Sequence, residues 1–382
     1  MIPRKISLVG LIILIALLFQ DCIREEFHWG YQIGEITYSR NAVFLNSEEL
    51  SLLKKSTSDS MIFSGLTSEL KKITTNSILV TGVSDSTPFG LLRKVTKVDV
   101  IDSSVIVLYK DAVLTDAIME GTVRLHEKLL EKDFRLKSKV EGVLVEGPSK
   151  SFDGLAITLD NLEIFHNGTA VAKLNGSIGI SPEIDMTIEI EAGEIKRVDL
   201  STTLNRIDEL TLSSGSAFSG NNEIIGAEFI HSPIVINDLV FVPEIKISCG
   251  FSGMAAGGVS SGVRQDRVIT SNISFENGAW SEAPMIHTES YDFSRPQVTD
   301  NSDLKIFSGI DISMKLFNTP VQTIKSVGYY ALKAEKTSSP MWKLYTGSEG
   351  TDTVSAEILG LAKGCSSEMV IEESEIASAD GN

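Results

Sequence analysis

The feature that most constrains this chain is a two-residue alternation of apolar and polar side chains running from about residue 150 to residue 363. Ile184, Met186, Ile188 and Ile190 are apolar, with Asp185, Thr187, Glu189 and Glu191 among them. Ile306, Ile310, Ile312, Met314 and Leu316 repeat the pattern around Asp311, Ser313 and Lys315, and Val198, Leu200 and Leu204 do so again. Successive side chains of a strand point to opposite faces, so such segments bury one face and wet the other. Asn167-Gly168, Asn175-Gly176 and Asn277-Gly278 punctuate the region. Asn-Gly tolerates the positive φ of tight hairpin turns, which implies antiparallel neighbours. The expected fold is mainly β: an antiparallel meander forming a sandwich or barrel-like body. Ser213 to Asn222 and Gly250 to Gly262 are rich in small residues and read as loops, or as flat strands that pack closely.

The part before residue 149 is mixed. Residues 76–83, 94–100 and 104–109 read as strands, with Thr96, Val98 and Val100 alternating with Lys97 and Asp99. Leu114 to Met119 and Arg124 to Lys132 read as helical, with Leu125, Leu129 and Leu130 near one face. Gly147-Pro148 marks a boundary. Four regions follow: a signal over 1–22, a mixed α+β region over 23–148, an all-β domain over 149–364, and an acidic tail over 365–382. The tail carries Glu368, Glu372, Glu373, Glu375 and Asp380 with no Lys or Arg, and reads as solvated and disordered.

At the start of the chain, Arg4 and Lys5 precede an uncharged run from Ile6 to Phe19. A charged n-region followed by a short apolar stretch is the layout of a secretory signal. A spanning helix needs about 20 apolar residues, so export rather than membrane spanning is expected. Gln20-Asp21-Cys22 follows at once. The run from Leu17 to Phe27 resembles the lipoprotein signals of Bacteroidetes-type bacteria. That resemblance implies that the Cys22 thiol receives diacylglycerol and that the signal is cut before it. Asp21 departs from the small residue the family prefers there. Two or three acyl chains give stable anchoring where one does not. The membrane is thus an expected partner, and the cell envelope, the outer membrane or the exterior the expected location. The two other cysteines are Cys249 and Cys365. Export permits a disulfide between them. The alternative is that Cys249 is a buried hydrophobe continuing Ile245, Ile247 and Phe251.

The net charge of −17 disfavours nucleic acid as a partner, because phosphate backbones need compensating Lys and Arg. Motifs for chemistry are sparse. Gly258 to Gly262 matches G-x-S-x-G, but the following residues read as strand, without the strand-to-helix turn a serine nucleophile needs. His28, His126, His166, His231 and His287 show no ligand spacing, so a zinc site would have to be assembled from distant positions. Asp300 to Asp303 reads as a polar turn rather than a calcium loop. Asn167, Asn175 and Asn272 begin sequons, the first two overlapping Asn-Gly pairs. Trp280, Tyr291, Trp342 and Tyr345 are either packing residues or a carbohydrate-stacking platform. No catalytic, cofactor or metal residue is assigned.

Pro88 to Val95, Ala112 to Ala117 and Phe275 to Trp280 are similar to pieces of uncharacterised secreted, β-rich bacterial proteins. The resemblance covers about a tenth of the chain and implies a large exported β protein without transferring any site residue. The expected function is an envelope binding or structural module for a surface glycan or protein. The alternatives are a secreted polysaccharide hydrolase, which needs paired carboxylates in a cleft, and a lipid-carrying β protein, which needs a long apolar cavity.

Overall fold

A computed structural model describes residues 32–33, 35–145, 154–283 and 285–380. The first strands are short: β1 (Gln32–Ile33), β2 (Ile36–Tyr38), β3 (Ala42–Leu45), β4 (Leu53–Ser56), β5 (Ser60–Phe63) and β6 (Ile78–Thr81). Longer ones follow: β7 (Leu91–Ile101), β8 (Ser104–Asp111), β9 (Ile118–Lys128), β10 (Phe134–Lys139), β11 (Val143–Val145) and β12 (Leu155–Asn167). The body is built from β13 (Ala170–Glu191), β14 (Glu194–Ser214), β15 (Phe218–His231), β16 (Ile234–Ile236), β17 (Leu239–Ala255) and β18 (Val259–Glu276). It is completed by β19 (Ala279–Glu282), β20 (Ile286–Val298), β21 (Ser302–Leu316), β22 (Thr319–Ala334), β23 (Trp342–Val354) and β24 (Cys365–Ala379).

Two long antiparallel sheets form a sandwich. The first runs β1-β2-β9-β13-β14-β18-β19, with β11 and β12 joined beside β13 and β20 beside β18. The second runs β10-β15-β17-β21-β22-β23-β24, with β16 beside β17. A smaller mixed sheet, β3-β6-β7-β8-β5-β4, includes the parallel pair β3 and β6. At 22 residues, β13 is long enough for two partners along one edge: β12 pairs with its first half and β9 with its second. The alternation over 184–191 and 306–316 does what strand geometry requires: Ile184, Met186, Ile188, Ile310 and Ile312 are buried in one continuous core spanning both sheets.

The body has two ends. The turns after β13, β18 and β21 and the residues after β23 lie at the base. There Gly90 meets Val240 and Phe317, and Leu114 donates its N–H to the Ile358 carbonyl. The small sheet is therefore packed onto the base, with its other face closed by a second core around Met61, Phe63, Leu79 and Val107. The turns after β12, β14, β17, β20 and β22 lie at the far end. The 17 residues of β17 separate the ends by roughly 55 Å at about 3.3 Å per residue.

Four expectations are corrected. Residues 124–128 are strand, not helix: Val123 and Leu125 face the core while Arg124, His126 and Lys128 face out, and β9 pairs with β13. Of the expected helix from Leu114 to Met119, Leu114–Ala117 forms a helical turn, and Glu131–Asp133 forms a short 3-10 turn after β9. The acidic segment is not a disordered tail but β24, the edge of the second sheet. Met369 and Cys365 turn inward, while Glu373 and Glu375 pair with Lys333 and Lys343 at 3.2 and 3.0 Å. Gly147-Pro148 lies outside the described residues, yet β9, β10 and β11 before it already belong to the long sheets, so the small unit ends near Asp111. Finally, Asn175-Gly176 is no turn. It sits inside β13, where Gly176 at φ 128° lies against the Glu209 carbonyl, which a Cβ would approach to 1.8 Å. Asn167-Gly168 and Asn277-Gly278 do form turns, after β12 and β18.

Candidate functional site

The interior of the sandwich carries a layer of charge. The parity that points Val263 and Ile269 of β18 inward also points Gln265 and Arg267 inward, leaving Val268 on the outside. Arg206 of β14 stands directly opposite Arg267 in the register, and both side chains are fully buried. Arg206 donates Nε to Asp208 Oδ2 at 2.6 Å. Its Nη1 reaches the Ser326 carbonyl at 2.7 Å and its Nη2 the Ser308 carbonyl at 2.7 Å, both in the opposing sheet. Arg267 donates Nη1 to Asp208 Oδ2 at 3.1 Å and Nε to Glu289 Oε1 at 3.2 Å. Gln265 donates Nε2 to Glu289 at 2.9 Å and to the Tyr329 carbonyl at 3.1 Å. Two guanidinium groups and two carboxylates balance, as buried charges must. Gly328 makes room: a Cβ there would lie 1.4 Å from Arg267 Nη1.

Smaller polar contacts flank this layer. Buried Asp352 accepts both oxygens' bonds from Gln322 Nε2 at 3.1 and 2.9 Å, and burial raises its carboxyl above the ordinary range. Tyr330 donates its hydroxyl to the Ser261 carbonyl at 2.7 Å across the sheets. His287 lies beside Glu289, Nε2 to Oε2 4.0 Å, and burial holds its imidazole below the usual range. The interior carboxylates are thus engaged by internal donors: Asp208 by two arginines, Glu289 by Arg267 and Gln265, and Asp352 by Gln322. What this arrangement does is couple the sheets in one register, since Arg206 reaches carbonyls of two neighbouring strands of the other layer.

The residues singled out in the sequence fall in separate places. Cys22 lies outside the described residues. Cys249 is buried on β17, and burial pushes its thiol up to about 12. Cys365 opens β24 and donates to Glu282 at 3.1 Å. Both are free. Four sheet positions separate β17 from β24, roughly 19 Å at about 4.8 Å per strand, beyond the reach of a disulfide. The disulfide between them is therefore corrected, and Cys249 is the buried hydrophobe. Gly258 to Gly262 is the end of the connection that crosses from β17 in the second sheet to β18 in the first, with the opening residues of β18. Asp300 to Asp303 is the polar turn into β21, where Asn301 Oδ1 accepts from the Lys336 N–H at 2.9 Å. Trp342 is core, Trp280 packs at a tilt against Phe275 with centroids 5.1 Å apart, Tyr345 lies under Lys333, and Tyr291 is exposed on β20. These aromatics do not share a face, so they form no stacking platform. Asn167 is the last residue of β12, at a turn, while Asn175 and Asn272 lie within strands.

Among the described residues, hollows open on the surface. At the far end a cavity of 620 Å³ is lined by Met254, Asp303, Lys333, Pro340 and Lys343 among others. One of 730 Å³ at the base follows β3 and includes Glu69, Ser84 and Asp238. Among the described residues no helix is long and apolar enough to cross a membrane. The interior arginines escaped the sequence reading because composition alone marks them as surface residues. Counting parity along β18 from Val263 and Ile269 is the signal that finds them. Compared with known protein families, curated proteins and solved structures, the chain matches none.

Proposed function

We propose that this chain is an exported β-sandwich, tethered to the cell envelope through Cys22, that acts as a binding or structural module for a surface glycan or protein. The observation that carries this reading is the difference between the two ends of the body. The base is taken up by the small sheet and by β1, whose Gln32 lies roughly ten residues after Cys22, at most about 35 Å of extended chain. The far end carries the turn Glu335 to Met341 and the 620 Å³ hollow beside it. A tether at the base would hold this hollow away from the membrane, where loops on a rigid scaffold meet ligands. The packed interior favours this over lipid carriage, because the inward apolar side chains fill their own core. The engagement of the interior carboxylates by internal donors favours it over hydrolysis. The test is metabolic labelling with a radiolabelled fatty acid, comparing the native chain with Cys22→Ala. Label on the native protein that is lost in the variant is the expected result; a native protein without label would overturn the tether.

A further inference from the structure

On the outer face of the first sheet, two strands distant in sequence bring together one imidazole and two carboxylates. His126 of β9 stands directly opposite Asp185 of β13, and Glu183 is two residues earlier on that same outward face. We propose that His126, Glu183 and Asp185 form a binding site for a divalent transition-metal ion of the zinc type.

The geometry is close to what such an ion requires. His126 Nδ1 is in hydrogen-bond contact with Asp185 Oδ1, and Nε2 lies 4.0 Å from Glu183 Oε1. One ligand atom from each residue can be chosen so that all three lie within 4.8 Å of one another. Metal–ligand bonds of about 2.0–2.2 Å put tetrahedral ligands roughly 3.4 Å apart, so a small rotation of the side chains closes the set. The side chains are free to make it, being 72%, 44% and 53% exposed for His126, Glu183 and Asp185. The strands are not, since the pairing of β9 with β13 fixes all three Cα atoms. Beside the group is a hollow of 200 Å³, also lined by Asp199 and Ser201 of the neighbouring β14, with space for water or a further oxygen ligand. The nearest arginine on β9, Arg124, is drawn off to Glu35 at 3.2 Å. Lys128 of β9 stands opposite Glu183 in the register, so the case for a metal rests on the donor set: an imidazole and two carboxylates, whose two negative charges a divalent ion would neutralise. The imidazole decides the class: calcium and magnesium take oxygen ligands, whereas zinc accepts imidazole with carboxylate.

This site is independent of the tether, and its test does not require export. The full chain, purified without a polyhistidine tag and stripped with a chelator, is titrated calorimetrically with zinc chloride and with calcium chloride. One equivalent of zinc is expected to bind, with affinity reduced tenfold or more in His126→Ala and in Asp185→Asn. Calcium is expected to bind at least tenfold more weakly than zinc. His166→Ala, which alters an exposed histidine beside Glu163 at a different place on the sheet, is expected to leave binding unchanged. Circular dichroism checks that the variants are folded. The proposal is overturned if the native chain binds no zinc, if His126→Ala binds it as tightly, if calcium binds equally well, or if His166→Ala alone removes it.

Discussion

Strands β13 and β18 lie in the same sheet, separated only by β14, and face the same interior, yet they fill it differently. The inward row of β13 runs Ile178, Ile180, Ile184, Met186, Ile188 and Ile190. That of β18 runs Ser261, Val263, Gln265, Arg267, Ile269, Ser271 and Ile273. Hydrophobic burial needs no particular partner, so the row on β13 tolerates any apolar surface opposite. The row on β18 is viable only because specific acceptors meet it: Asp208 beside it, Glu289 on the edge strand, and Tyr329 in the other sheet. One part of the core is held by area and the other by pairing. The second kind specifies how the sheets must stack.

That contrast can be broken by mutation. Arg206→Ala is expected to have the largest effect, because it leaves Asp208 buried beside a single guanidinium and strands the carbonyls of Ser308 and Ser326. Losing one partner of a buried pair costs about 3–5 kcal/mol, which urea unfolding would read as a large drop in midpoint. A loss below about 1 kcal/mol would show that water reaches the layer. Ile188→Val on β13 removes one methylene from the apolar row and is expected to cost about 0.5–1.5 kcal/mol in the same assay. A loss as large as that of Arg206→Ala would erase the distinction between the two rows.

The smallest expected effect is in pH dependence. Burial, then nearby Arg267, holds the His287 imidazole below its ordinary value, while Glu289 opposes them. The folded state therefore favours the neutral ring. Its stabilising contribution is present above the unfolded histidine value of about 6.5 and is lost as pH falls through that range toward the lower folded value. Melting temperature measured between pH 8 and about 5 should fall more for the native chain than for His287→Gln. His126 acts in the opposite sense, since its hydrogen bond to Asp185 raises its value, so only the difference between the two proteins isolates His287. Identical curves would place His287 in water.

Much of the β body was legible because alternation is a local property. Ile184 to Ile190 and Ile306 to Leu316 needed only the two-residue period to be assigned as half-buried strands. The same principle misled where two periods coincide. Leu125 and Leu129 suit a helix face, and Val123 with Leu125 suit a strand; pairing with β13 decided between them. Glu373 and Glu375 read as tail because their lysine partners, Lys333 and Lys343, are more than thirty residues away in sequence. His126 and Asp185 are separated by 59 residues, so no spacing rule could join them.

By itself, then, the sequence determined that the chain is mainly β, which residues of its longest strands face inward, and where two of its Asn-Gly turns fall. These follow from backbone geometry repeated residue by residue. The tertiary structure decided which strands are neighbours, that Arg206 and Arg267 are interior residues, that the acidic segment is an edge strand, and that His126, Glu183 and Asp185 share a face. Each depends on partners brought from far along the chain, and a charge is stable in a core, or poised for a metal, only when those partners arrive.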